Sequence, residues 1–472
     1  MRQEMELGLG RDSNANASLR MLPSYVLNTP DGTGEGHGLG EEGCWGGCGP
    51  ADTPCWLPTE QGEFLALDLG GTNFQVLLVC VEQDNIQIDS EIYVIPTSIT
   101  QSTGEVLFNH IINCIRDFQI KQNLMEQVLP LGFTFSFPCQ QLGLNKVREM
   151  ERASGYEAAA WPLLLPLLQA VLLGWTKGFS ASGCVGQDVV QLLQEAAQRK
   201  NFGLKVVAVV NDTVGTMMSC GHDDPKSSST EPTGTGTNAC YMEEMQNVGT
   251  VEGNQGLMCM NMEWGAFGDN GCLKNIFTDF DLLMDKETIN MGRQRFEKLI
   301  SGMCLGEIVH HILLAMVEKE LLFCGKPCPK LQTRDIFQTK FLFTIEIDGL
   351  ALRQVQAILQ NLELEASFED SVLVREVCET VSLCAAQLCT AGLAAVVERM
   401  WENRGLDKLA VTVGADGTLY KMHPHFSQNL QQTLRNLAPN CTVTFLPSED
   451  SSGKRAALVA AVACRKAEPW GQ

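Results

Sequence analysis

The chain has 472 residues, enough for two lobes with separate hydrophobic cores. It is 44% hydrophobic and 19% charged, a balance that excludes a disordered or fibrous chain. Its 34 basic and 56 acidic residues give a formal charge of −22, which repels nucleic acid and anionic membrane surfaces, so an anionic ligand must be held by local donors or a metal ion.

Regular structure is expected to begin sharply at Phe64, because residues 1–62 show little hydrophobic periodicity. Within them Asp31 to Thr59 is rich in Gly, Glu, Cys and Pro and reads as disordered. The first six residues, Met-Arg-Gln-Glu-Met-Glu, carry no apolar signal-peptide core. Phe64-Leu-Ala-Leu-Asp-Leu69, the turn Gly70-Gly71-Thr72-Asn73 and the apolar Val76 to Val79 predict a β-hairpin, with a third strand over Ile86–Ile95. Gly104–Gln119 has helical spacing, Leu129–Phe135 reads as a strand, and Gln187–Lys200 as a helix. The β-branched run Leu204–Val210 is a strand ending at Asn211-Asp212, and Gly236–Glu243 and Met258–Glu263 are further strands. Long helices are expected over Arg293–Glu320, Ala351–Leu362 and Val372–Arg404. The chain closes strand–helix–strand–helix over Lys408–Val413, Pro424–Leu437, Thr442–Leu446 and Gly453–Ala467, which makes the class α/β.

The longest apolar run, residues 158–175, is interrupted by Pro162, Pro166 and Gln169, so no integral membrane segment is expected there. Many of the 19 cysteines sit in apolar runs, as at Cys80, Cys114, Cys378 and Cys389, and read as small reduced core residues. Cys44, Cys48 and Cys55 lack partners at zinc spacing. A cytoplasmic location fits these features.

Glycine turns recur at Asp68-Leu-Gly-Gly-Thr72, Gly234-Thr-Gly-Thr-Asn238 and Gly414-Ala-Asp-Gly-Thr418, each beside a predicted strand. Backbone amides approach phosphate closely only where no Cβ intrudes, so such turns suit a nucleotide. Asp68 stands where a carboxylate could orient a hydrated Mg²⁺, although Gly-Gly also makes ordinary hairpins. Asp212 lies at a strand-to-helix junction, where a carboxylate serves either as a helix cap or as a general base; the residues alone leave both readings open. Sugar hydroxyls require paired donors and acceptors, and Ser136, Thr176, Lys177, Asn211, Asn238 and Glu263 offer them in short strings at strand ends.

The strings Phe64–Phe74, Leu131-Gly-Phe-Thr-Phe-Ser-Phe-Pro138, Trp175-Thr-Lys-Gly-Phe179, Val210-Asn-Asp-Thr-Val-Gly-Thr216, Gly234–Glu243, Glu263-Trp-Gly-Ala-Phe-Gly-Asp269 and Gly414-Ala-Asp-Gly-Thr-Leu-Tyr420 occur in one order that resembles the hexokinase family, in particular the catalytic half of its tandem vertebrate members. The resemblance runs from about Met21 to Ala467. It implies an actin-like ATPase (ribonuclease H-like) fold with two lobes around a central cleft: a small lobe over 63–211, a large lobe over 212–446, and a return to the small lobe over 447–472. It implies phosphorylation of a hexose, glucose foremost, at the 6-hydroxyl by ATP with Mg²⁺, by a monomer. In it Asp212 is the catalytic base, and the sugar meets Ser136, Phe137, Thr176, Lys177, Asn211, Asp212, Asn238, Glu263 and Glu297. ATP meets Asp68, Leu69, Gly70, Gly71, Thr72, Asn73, Thr235, Gly302, Met303, Thr339, Lys340, Asp416, Gly417, Thr418, Leu419 and Tyr420.

Four departures from the family pattern bear on that expectation. Gln75 replaces an Arg, which removes a charge-assisted phosphate donor. An insertion at about 145–171 divides Ser136 from Thr176. The polar run Lys226–Thr233, with Pro232, replaces an apolar strand and is expected not to form a buried central one, leaving Thr235 poorly supported. Ser451 and Arg455 replace small glycine positions. A hexokinase-like protein that binds sugar without transferring phosphate is the alternative.

Overall fold

A computed structural model describes residues 1–24, 62–71, 73–82, 85–125, 127–141, 169–223, 227–232, 236–326 and 328–448. The chain divides into two compact units. One comprises Leu22–Ser228, Met242–Met260 and Ser448–Gln472; the other comprises Met1–Met21, Ser229–Tyr241 and Asn261–Pro447.

The first unit is built on a five-stranded sheet in the order Asn85–Val94, Asn73–Glu82, Gly62–Leu69, Pro130–Phe135, Lys205–Val210. The predicted hairpin is present, closing at Leu69 opposite Phe74. Gly62–Leu69 then pairs in parallel with Pro130–Phe135, and that strand in parallel with Lys205–Val210. Asp68 stands beside Thr134, and Thr134 beside Val210. Three parallel strands therefore release the chain at one edge of the sheet, where Gly70, Ser136 and Asn211 follow them. Ligands of open parallel sheets bind outside the carboxyl ends of the strands, so this topology alone marks that edge.

Two helices cover the sheet because each carries an apolar stripe at helical spacing. Gly104–Lys121 buries Leu107, Ile111, Ile115 and Phe118, and Val189–Arg199 buries Val189, Val190, Leu193 and Ala196. Thr103 and Asp188 cap them by accepting from the amides of Val106 and Val190 at 3.3 and 3.0 Å. The insertion lies largely outside the described residues, but its flanks do not. Cys139–Gln141 pairs antiparallel with Ala170–Leu172, with Gln141 opposite Ala170. This ribbon holds the two ends together, so the extra residues add no separation between Ser136 and Thr176.

The second unit is dominated by the 37-residue helix Phe368–Arg404. Ser367 and Asp370 form a capping box at its start, and Gly405, at φ +58°, ends it. It is the one helix among the described residues long and apolar enough to cross a membrane; 67% of its apolar window is buried within the protein, as in a core helix. Leu409–Asp416 pairs in parallel with Cys441–Pro447.

Three expectations are corrected. The polar run does form a strand, Ser227–Pro232, placed between Cys240–Glu244 and Leu409–Asp416 in its sheet. Pro232 is its last residue, so the missing amide interrupts only the end of the ladder, and Thr230 and Ser229 pair with Cys240 and Tyr241. The helix expected over Arg293–Glu320 is two, Arg295–Ile300 and Leu305–Glu318, broken at Gly302. The N-terminus is not structureless throughout: Arg2–Leu9 is a helix that buries Met5 and Leu9, with Glu4 accepting from Ser18 and Asn270. Asp31–Thr59, Cys44, Cys48, Cys55 and Gly453–Ala467 lie outside the described residues. Cys114, Cys378 and Cys389 are buried cysteines, and Cys80 is a half-buried one.

Candidate functional site

Each unit gathers its own set of the predicted residues. In the first, the strand ends supply Asp68, Ser136 and Asp212, and an aromatic cluster supplies Lys177. The Phe137 ring lies 5.0 Å from Trp175 and 4.9 Å from Phe179, edge-on in both cases, and Trp175 stacks on Phe179 at 5.4 Å. The Trp175 indole donates to the Ala181 carbonyl at 2.7 Å. Between these two rings Thr176 is buried, and Lys177 takes a left-handed φ of +54°. That conformation is disfavoured for a side chain with a Cβ, and packing on both sides enforces it.

So held, the Lys177 amine donates to the Ser136 carbonyl at 3.0 Å and stands 3.7 Å from Asp212 Oδ2. Asp212 opens the helix Asp212–Asp223, and its Oδ1 accepts from the Thr213 amide at 2.8 Å. Asn211 Oδ1 accepts from the same amide at 3.0 Å. The two oxygens of this carboxylate are thus divided: Oδ1 accepts from the first turn of the helix and Oδ2 faces the amine. The side chain keeps 26% exposure, against 12% for Lys177. Ser136 Oγ is buried without a hydrogen-bond partner, and Phe137 is buried behind it.

Asp68 is half-buried at its strand end and pairs across the hairpin with Gln75, the position of the missing Arg. A Cβ on Gly70 would stand 3.2 Å from Ser136 Oγ, whereas one on Gly71 would meet nothing within 4 Å. The Gly-Gly turn therefore packs on one side and is open on the other. Leu69 is buried in the core and Asn73 is exposed; Thr72 lies outside the described residues.

In the second unit Asn238, Glu263 and Glu297 are brought together. The Asn238 carboxamide donates to Asn261 Oδ1 at 2.8 Å and to Glu263 Oε1 at 3.2 Å, while Asn261 donates to Glu263 Oε1 at 2.9 Å. The Thr237 amide donates to Glu297 Oε2 at 3.1 Å, and the Trp264 indole to Thr237 Oγ1 at 3.0 Å. Glu263 has a left-handed φ of +50°, the second predicted sugar contact to do so. Gly265 lies close to its neighbours: a Cβ there would stand 2.3 Å from Gln294 Oε1, which would have to shift, and 3.2 Å from Glu297 Cβ. Asp269 accepts from the amides of Gln294 and Arg295, fixing the start of the short helix that carries Glu297. Burial raises the Asp269 carboxyl above its ordinary value, outweighing those two donors and the charges of Arg295 and Lys298.

The predicted nucleotide positions of this unit are spread over several turns. Gly302 and Met303 occupy the break between two helices, with Met303 exposed. Thr339 and Lys340 begin the helix Thr339–Glu346, and Thr339 Oγ1 accepts from the Gly306 amide at 3.0 Å. Asp416 ends its strand and accepts from the Gly417 amide at 2.8 Å and from Lys421. Gly417 has φ +106°, and Thr418, Leu419 and Tyr420 open the short helix Thr418–Met422. Thr235 lies outside the described residues.

Sequence reasoning missed Asn261, Thr237 and Asp269 as organisers of the set. Asn261 was discernible, since Asn and Glu two residues apart at a strand end can share one face. Asp269 was not, because its role depends on Gln294 and Arg295, 25 and 26 residues away.

The architecture is an α/β fold of the actin-like ATPase class. Models of the hexokinase family match residues 233–462 and residues 55–160 with 165–222. Mouse Hexokinase-3 is 55% identical over 466 residues, covering 98% of this chain and 45% of that protein. Human Hexokinase-2 is 53% identical over 469 residues, covering 98% and 46%. A hexokinase from Schistosoma mansoni, solved in complex with glucose, is 36% identical at a TM-score of 0.82, covering 98% of this chain and 93% of that one. The chain belongs to the hexokinase family, and it spans about half the length of the curated relatives it matches.

Proposed function

We infer that this chain transfers the terminal phosphoryl group of ATP to the 6-hydroxyl of a hexose, glucose foremost, releasing hexose 6-phosphate and ADP. The observation that carries this reading is the Lys177 amine set between the Ser136 carbonyl and the Asp212 carboxylate, at 3.0 and 3.7 Å. Asp212 accepts the hydroxyl proton through its accessible Oδ2 as the sugar oxygen attacks phosphorus. The Lys177 amine stands beside that carboxylate, which opens the helix Asp212–Asp223. Ser136 Oγ, buried and unpartnered, suits a sugar hydroxyl that both donates and accepts. Asn238, Glu263 and Glu297 supply further hydroxyl contacts from a pre-ordered network.

The Gly70–Gly71 turn, open where a Cβ on Gly71 would meet nothing, fits the close approach of phosphate oxygens to backbone amides. Asp68 beside it fits a hydrated Mg²⁺, which when bound neutralises charge on the transferring phosphoryl group. Gly302, Met303, Thr339, Lys340 and Asp416–Tyr420 would contact the rest of ATP.

A coupled assay for glucose 6-phosphate with glucose, ATP and Mg²⁺ tests the reading, and steady product formation is expected. Gln75 in place of the family's Arg, which removes a charge-assisted phosphate donor, favours one second reading, a sugar-binding protein without phosphoryl transfer. Glucose-dependent thermal stabilisation with no product would establish that alternative.

A further inference from the structure

Away from the residues discussed so far, the helix Leu305–Glu318 carries Glu307 and His311 four residues apart, and hence on one face. Both are buried, each with 8% exposure. Glu287, the last residue of the helix Asp279–Glu287, brings an exposed carboxylate to the same place. One ligand atom from each of the three lies within 4.8 Å of the others, and His311 Nε2 is 3.5 Å from Glu287 Oε2. His311 is more than nine-tenths buried, yet its Nε2 has no hydrogen-bond partner. A buried imidazole nitrogen without a hydrogen bond, 3.5 Å from one carboxylate and clustered with a second, suits a metal ligand.

We propose that Glu287, Glu307 and His311 bind a divalent ion of the zinc class, with water completing the coordination. Zinc holds imidazole nitrogen and carboxylate oxygen at about 2.0–2.2 Å, which sets tetrahedral donors about 3.3 Å apart. His311 Nε2 and Glu287 Oε2, 3.5 Å apart, already stand near that value, and Glu287 is exposed at a helix end. Glu307 is already oriented for the task. Its Oε2 is 2.7 Å from His310 Nδ1, and its Oε1 accepts from the Asp335 amide. Both His310 nitrogens face oxygens, since Nε2 meets the Leu331 carbonyl, so His310 donates on both sides and cannot itself be a ligand. Arg334 donates to the Glu287 backbone carbonyl. Bound there, the ion would tie the end of one helix to the helix that follows the Gly302–Met303 turn.

Equilibrium titration of the chelator-stripped full chain with zinc chloride tests this, with wild type and Glu287→Gln compared after alkylation of exposed thiols such as Cys272, Cys324 and Cys384. Wild type is expected to bind one more zinc than Glu287→Gln, or to bind it at least roughly tenfold more tightly, and to gain thermal stability from zinc that the variant lacks. Equal binding and equal stabilisation in the two proteins would overturn the site. His311→Gln should match Glu287→Gln, and wild-type affinity in it would remove His311 as a ligand and with it the proposal. Should His311→Gln fail to fold, the comparison with exposed Glu287 decides alone.

Discussion

Asp212 in one unit and Glu263 in the other are both carboxylates of the predicted sugar set, and they are held in opposite ways. Asp212 is partly exposed, with one oxygen capping a helix and the other facing a single amine 3.7 Å away. Glu263 is buried, with Oε1 taking two carboxamide donors from Asn238 and Asn261. A group that accepts a proton needs an accessible lone pair. A group that positions a hydroxyl needs a fixed orientation, which buried hydrogen bonds provide. The two share one device: Lys177 beside Asp212 and Glu263 itself both occupy left-handed backbone, imposed by surrounding packing.

If the first region is tuned for reaction, Lys177→Met should strike turnover. The variant keeps most of the side-chain bulk but loses the bond to the Ser136 carbonyl and the cation beside Asp212. Loss of a charged hydrogen bond worth about 1.5–3 kcal/mol predicts a fall of roughly ten- to hundredfold in kcat/KM, with little change in melting temperature. A large loss of stability with kcat/KM preserved would mean that Lys177 is a scaffold residue.

Asn261→Ala should do the reverse. It removes partners from Asn238 and Glu263 in a buried setting, so unfolding free energy should drop by about 1–3 kcal/mol. KM for glucose should rise more than kcat falls. An unchanged denaturation midpoint would show that the network is not preorganised.

The smallest effect concerns Asp269. Its carboxyl value is raised in the folded chain by burial, so the folded state binds that proton more tightly than the unfolded one. Stability should therefore rise as pH falls through the raised folded value and be lower above it. Relative to Asp269→Asn, wild type should gain about 1 kcal/mol or less between pH 7 and pH 4, measured by denaturant unfolding. A difference that stays constant with pH would show that the carboxyl does not titrate in that window.

The same contrast explains what the sequence disclosed. The reactive edge was legible because apolar runs such as Lys205–Val210 announce strands, and parallel pairing brings their ends together. The buried network was legible at Asn238 and Glu263, with Asn261 discernible beside Glu263, whereas Asp269 gains meaning only from partners the chain supplies elsewhere. Ser227–Pro232 was unreadable as a strand because its polar composition carries no β signal, and its neighbours in the sheet supply the pairing. The N-terminal helix was missed because Met5 and Leu9 alone make a weak apolar stripe in eight residues.

The central claim is that the carboxylate at 212 takes the hydroxyl proton while other residues hold the sugar. Its most direct test measures glucose 6-phosphate formation and glucose-dependent thermal shift side by side in wild type and Asp212→Asn. The account predicts turnover lower by at least roughly hundredfold with most of the glucose-dependent shift retained. Turnover of Asp212→Asn within about tenfold of wild type, a smaller loss than removing a general base causes, would contradict it.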